Sequence, residues 1–161
     1  MGGISDLITL ANNQLQVTTG WVQPVVLSPV AAGVGTLARV VPGETYETVI
    51  AAHATFTASA AVANRSLTFD ILDGNGVAQI SLPCAQVITA SGAVTAYAVA
   101  DTSTGLASSG VSVVRLPSVL LPPGYTARFA AAGVDVADQW SSGGMLVERF
   151  PSDSVTILNA G

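Results

Sequence analysis

From about residue 37 to residue 150 the chain alternates between apolar and polar positions in short runs, and glycine, proline, asparagine and aspartate separate the runs. A period of two sends successive side chains to opposite faces of an extended strand, so each run predicts a strand with one buried face. The clearest is 46–59, which sets Ile50, Ala52, Ala54, Phe56 and Ala58 against Ala51, His53, Thr55 and Thr57. In 67–71, Leu67, Phe69 and Ile71 alternate with Thr68 and Asp70. Asp73-Gly74-Asn75-Gly76 then predicts a hairpin turn, because these residues tolerate positive φ. The partner strand is expected over 77–82, ending at Pro83, and further strands over 37–41, 87–89, 93–100, 111–116, 125–131 and 145–150. Turns are expected at Pro42-Gly43, Ser91-Gly92 and Pro122-Pro123-Gly124, a surface loop over 101–110, and a connection or short strand over 134–139. Many short strands with turn signals between them, and no helical stretch separating them, predict an all-β fold. The expected architecture is an antiparallel β-sandwich, jelly-roll-like, with an extended N-terminal arm.

The first 37 residues read differently from the rest. Ile4, Leu7, Ile8, Ala11 and Leu15 recur near helical spacing, and Ser5-Asp6 could open a helix, so a short helix or an arm is expected over 1–20. Residues 21–37 carry Pro24, Pro29, Gly33 and Gly35, which suits an extended connector lying on another surface. The division is an arm and connector over 1–37 and a single β-sandwich domain over 38–161.

Composition sharpens this picture. The 161 residues are 50% hydrophobic and only 9% charged, with a net charge of −5. Mean hydropathy is +0.58, high for a protein that works as a monomer, and subunit interfaces of obligate oligomers are depleted in charge in just this way. The apolar content and scarce charge argue against disorder. No apolar run approaches the roughly 20 residues that a membrane helix needs. The start, Met1-Gly2-Gly3-Ile4-Ser5-Asp6, lacks a basic and then apolar leader, so assembly in a cytoplasm is expected. There is no lysine, and the five arginines (Arg39, Arg65, Arg115, Arg128, Arg149) are widely spaced. Nothing clusters to neutralise phosphates, so no nucleic-acid partner is expected.

Candidate chemistry is sparse. His53 is the single histidine and Cys84 the single cysteine. They cannot furnish a four-ligand zinc site, and no Gly-x-Ser-x-Gly elbow accompanies the histidine. Cys84 follows Pro83 in an apolar setting and reads as a small buried hydrophobe. Asp70, Asp73 and Asn75 bring oxygen side chains together as calcium would require, but a plain hairpin explains the same residues. Asp135 with Asp138, and Glu44 with Glu47, are spaced carboxylate pairs of the kind glycoside hydrolysis uses. Trp21 and Trp140 could serve a sugar platform, or anchor an interface, which is more frequent. Arg65, Arg128 and Arg149 are each expected to find a carboxylate, with Asp70, Asp138 and Glu148 as candidates. The expectation is no enzyme, no cofactor and no metal.

Some of these residues resemble a known group. Pro42-Gly43-Glu44, Ala63-Asn64-Arg65, Leu67-Thr68-Phe69-Asp70, Asp73-Gly74-Asn75-Gly76, Leu121-Pro122-Pro123-Gly124-Tyr125, Asp138-Gln139-Trp140 and Leu146-Val147-Glu148-Arg149-Phe150 together resemble small β-rich structural proteins of tailed-phage virions. The likeness covers roughly 38–150 and rests on turns and strand ends. It implies a capsid decoration (cement) or head-fibre protein, a homotrimer that binds the major capsid protein and stabilises the capsid from its outer surface. The N-terminal arm would clamp neighbouring capsid subunits, with Ile4, Leu7, Ile8, Leu15 and Trp21 as its anchors. The alternative it implies is a tail or fibre module that recognises host carbohydrate or protein. Exposed aromatics at loop tips around Tyr97, Tyr125 or Trp140 would favour that alternative.

Overall fold

The computed structural model describes residues 20–100, 107–141 and 143–152. The expected helix or arm over 1–20 therefore falls, but for Gly20, outside the described residues. Every regular element among them is a strand: β1 (Trp21–Leu27), β2 (Thr36–Val40), β3 (Thr45–Thr57), β4 (Arg65–Leu72), β5 (Ala78–Ile88), β6 (Ala93–Ala100), β7 (Ala107–Ser108), β8 (Val111–Leu116), β9 (Leu120–Leu121), β10 (Thr126–Ala132), β11 (Gln139–Trp140) and β12 (Gly143–Pro151). They form two packed sheets, a β-sandwich. The larger runs β1–β12–β3–β6–β8–β7, with β9 and β11 also pairing with β3, and the smaller runs β2–β10–β4–β5. All pairings are antiparallel but one: β6 and β8 run parallel, Tyr97 opposite Val113.

Three expectations shift. Part of the connector expected over 21–37 is strand: Trp21–Leu27 pair with β12 along their whole length, Trp21 opposite Arg149 and Leu27 opposite Gly143. Strand β2 begins at Thr36 and pairs with β10. The separate strands expected at 77–82 and 87–89 are one strand, β5, running through Pro83. Proline is tolerated there because β5 is the edge of its sheet and that position needs no donor.

Strand β3 also departs from simple alternation. Its core-facing residues are Glu47 and Val49, then Ala52, Ala54 and Phe56. The parity changes because Leu146 lies opposite Ala51 while Val147 lies opposite Val49, leaving Ile50 as an extra residue. This is a β-bulge, and Ile50 leaves the core face on which alternation placed it. Below the bulge, Ala52, Ala54, Phe56 and Ala58 face inward as expected.

The core lies between the sheets. From the larger sheet, Met145, Ala52, Ala98 and Val114 form one buried row. From the smaller, Leu37, Phe129 and Phe69 form another, with the two phenylalanine rings edge to face at 5.1 Å. Trp140 of the short β11 fills the space between, its ring 4.9 Å from Phe56 and 6.0 Å from Phe129. Alanines at 52, 54, 96 and 98 leave room for these large rings, which explains why the chain is so rich in small apolar residues. On one side the sheets are joined where the Ala85 N–H donates to Ser112 Oγ at 3.1 Å. On the other, edge strands β1 and β2 flank a hollow of about 320 Å³ lined by Val25, Leu27, Val30, Leu37 and Arg39 among others.

Candidate interaction surface

The few charges of the described residues hold the sandwich together. Arg65 and Asp138 are both fully buried, the guanidinium reaching the carboxylate at 2.9 and 3.0 Å. Asp138 also accepts the N–H groups of Ser59 and Asp135, and Arg65 donates to the carbonyls of Ala61 and Ala63. This cluster pins the loops on either side of 59–65 and 135–138. Burial alone would raise the Asp138 pKa, but Arg65 and the two backbone donors outweigh it and hold the carboxyl far below the usual range. Arg128 pairs with Asp70 at 3.1 Å, and Ser81 donates to the same carboxylate. Arg149 pairs with Glu47, not Glu148, at 2.7 Å, and Arg39 from the other sheet reaches the same buried carboxylate at 2.7 Å. Glu47 thus bridges the two sheets beside the hollow, between two guanidinium groups.

These contacts occupy several of the carboxylates weighed as catalytic candidates. The carboxylates of Glu47 and Asp138 are consumed in buried ion pairs, so neither carboxylate pair is left to flank a sugar. Asp70 is committed to Arg128, and Asp73 closes its own turn, accepting the N–H groups of Asn75 at 2.9 Å and Val77 at 3.0 Å. Those backbone donors lower the Asp73 pKa. No group of three or more acidic, histidine or cysteine side chains converges among the described residues. Cys84 is buried, and burial pushes its thiol pKa up, the opposite of what a nucleophile needs. Trp140 lies wholly in the core and Tyr97 lies mid-strand, so neither stands at a loop tip, the placement that would favour the carbohydrate-binding alternative.

What the strands do present is a broad outer face on the larger sheet. Ladder pairing aligns Val26, Gly144, His53, Tyr97 and Val113 in one row across five strands. The next row is Pro24, Leu146, Ala51, Val99 and Arg115. Val26 is 78% exposed, Val22 56%, Tyr97 39% and Leu146 37%. His53 lies on this face with its ring centroid 6.0 Å from that of Tyr97. Gly144 makes room for it, since a Cβ there would approach His53 Nε2 to 3.0 Å. Charge is confined to the margins, with Glu148 on β12 and Arg115 on β8. Arg115 is the one arginine without a carboxylate partner among the described residues.

Of the expected anchors, Ile4, Leu7, Ile8 and Leu15 lie outside the described residues. Trp21 is the first residue of β1 and is 46% exposed. The outer face itself was not singled out in the sequence. Its residues read as the polar half of each alternation, and only pairing across strands brings the apolar exceptions together.

No protein-family model and no curated protein matches the chain. Solved structures with a distant likeness include that of the infectious bursal disease virus Gx strain, at TM-score 0.35 and 11% identity, covering 81% of this chain and 32% of that one. Another is the VP2 subviral particle of infectious bursal disease virus, at TM-score 0.33 and 11% identity, covering 84% and 34%. A third is PfGH50B, at TM-score 0.30 and 11% identity, covering 89% and 24%. The chain spans about a third or less of the length of these proteins, and likeness at this level carries no functional argument.

Proposed function

We propose that this chain is a non-enzymatic structural protein of a virion: a decoration protein that associates with itself, as a homotrimer, and stabilises a tailed-phage capsid by binding the major capsid protein across subunit boundaries. The observation that carries this reading is the outer face of the larger sheet, where Val22, Val26, Tyr97, Val99 and Leu146 lie exposed or half-buried around His53 and the charged Glu148 and Arg115 stand at the margins. Monomeric soluble proteins rarely expose contiguous apolar patches beyond a few hundred Å², and larger ones mark interaction sites. The commitment of Arg39, Arg65, Arg128 and Arg149 to Glu47, Asp70 and Asp138 supports a structural over a catalytic role. The resemblance of the turns and strand ends supports the virion setting.

The test is co-sedimentation of the purified protein with shells assembled from the major capsid protein of the same virion, alongside light scattering of the protein alone. Saturable binding, and a mass above that of one chain, is the expected result. Absence of binding to shells in every assembly state rejects the decoration role. Any trimming of the arm should stop before residue 20, because residues 21–27 belong to the larger sheet.

A further inference from the structure

A β-sandwich with open sheets has edges that can template another strand, and native proteins blunt them with proline, bulges or brevity. Among the described residues the two sheets have four edges, and three are blunted. β1 carries Pro24. β5 carries Pro83 and two register irregularities. β7 has two residues. The fourth, β2, is a regular five-residue strand with no proline and no bulge. Its ladder with β10 shows which way its backbone points. The Val41 N–H donates to the Tyr125 carbonyl, and the Ala131 N–H donates to the Gly35 carbonyl. Odd-numbered residues therefore bond to β10, and antiparallel alternation turns the N–H and C=O of Thr36, Ala38 and Val40 to the side on which no strand pairs with β2 among the described residues. That edge borders the hollow of about 320 Å³ between the two sheets.

We propose that the β2 edge is a strand-addition site occupied by residues 5–9 of a second copy of this chain, running antiparallel to β2. The inference rests on the self-association reading for its occupant. The segment suits the site in three ways. Residues 4–19, which include Ser5-Asp6-Leu7-Ile8-Thr9, contain no glycine and no proline to interrupt pairing. With Leu7 opposite Ala38, Ile8 falls opposite core-facing Leu37 and Asp6 opposite Arg39. Asp6 is the one charged side chain in residues 1–19, and it arrives where Arg39 and Arg149 share the single carboxylate of Glu47. A carboxylate there balances a local excess of positive charge. Reach is ample, because the 19 residues before Gly20 span up to about 60 Å when extended, against roughly 35–40 Å for a domain of this size. An arm passed head to tail from copy to copy gives a ring where the rotation between copies closes.

The test mixes two variants of the full chain, Leu7→Cys and an affinity-tagged Ala38→Cys, under mild oxidation. Directly opposite residues of an antiparallel pair lie about 5.5 Å apart at Cα, within disulfide range. Native Cys84 is buried and does not compete. The expected result is a disulfide joining tagged to untagged chains in the mixture. Oligomers that form without this link overturn the proposal while leaving self-association intact. So does a Leu7→Cys/Ala38→Cys double variant that closes its disulfide within a single chain. A wild-type protein that stays monomeric at every concentration by light scattering removes the self-association reading itself. As a second measure, Ala38→Pro deletes an N–H that the protein's own sheet does not use. It is expected to weaken association at least tenfold with an unchanged far-UV spectrum, and unchanged association would overturn the proposal.

Discussion

At the scale of single residues, the Arg65–Asp138 pair is the costliest commitment in the molecule. Two fully buried charges gain from each other only while both are present, and removing one leaves the other unpaired in the core. Asp138→Ala is expected to lower stability by about 3–5 kcal/mol, read from urea denaturation. The pair also makes stability depend on pH with a definite sign. Asp138 has a depressed pKa when folded, so its contribution is fully present above the ordinary carboxylate pKa of about 4. The contribution falls as pH drops below that value toward the folded pKa. Acid titration of the melting temperature should show this slope in the wild type and a shallower one in Asp138→Asn. Trp140 gives a second residue-level prediction. Its Nε1 is buried without a hydrogen-bond partner among the described residues. Trp140→Ala should cost about 3–5 kcal/mol through the cavity it leaves. Trp140→Phe should cost well under half as much, because it also removes an unsatisfied donor. A Phe variant as damaging as the Ala variant would mean that the indole N–H is satisfied after all.

At the scale of elements, β6 and β8 match their expected bounds, because uninterrupted alternation flanked by turn residues leaves little freedom. The departures occur where pairing partners overrule local pattern. β1 was hidden by Pro24 and Pro29, which read as connector until β12 supplies a partner for Trp21–Leu27. The β3 bulge was hidden because Val49, Ile50, Ala51 and Ala52 are all apolar, so their parity could be assigned either way. The Arg65 and Arg128 partners lay among the expected carboxylates. The Arg149 partner did not, because Glu47 reaches the core face only through the bulge. The bulge has its own test. Deleting Ile50 leaves Val49 and Ala52 on the same face, whereas deleting Thr55 inverts the faces of everything beyond it. The variant lacking Ile50 should keep a cooperative melt, and the one lacking Thr55 should lose it in calorimetry.

At the scale of the whole molecule, the sequence made surplus hydrophobicity plain but not its address. Half of the chain is apolar, and the core takes the alanines and rings while Val22, Val26, Tyr97 and Leu146 remain outside. Replacing Leu146 or Tyr97 with lysine puts a charge into the middle of the outer face. Such surface changes usually alter fold stability by no more than about 0.5 kcal/mol. The expected outcome is a binding constant for capsid shells weakened at least tenfold, with a nearly unchanged melting temperature. Equal binding by both variants would move the contact to another face.

The pairing of β1 with β12 also decides how the molecule responds to force. Trp21 lies opposite Arg149, so the chain comes in and goes out at the same end of one ladder. Tension applied between residues 20 and 152 peels the seven pairs of that ladder apart in succession, like a zipper, and each step resists with the strength of one pair. Tension between residue 20 and the opposite end of the larger sheet shears the same seven pairs together. A shell that swells while holding the protein by its arm and by its far loops would load it along the strong axis. A fusion hung from residue 152 and pulled against the arm would load it along the weak one.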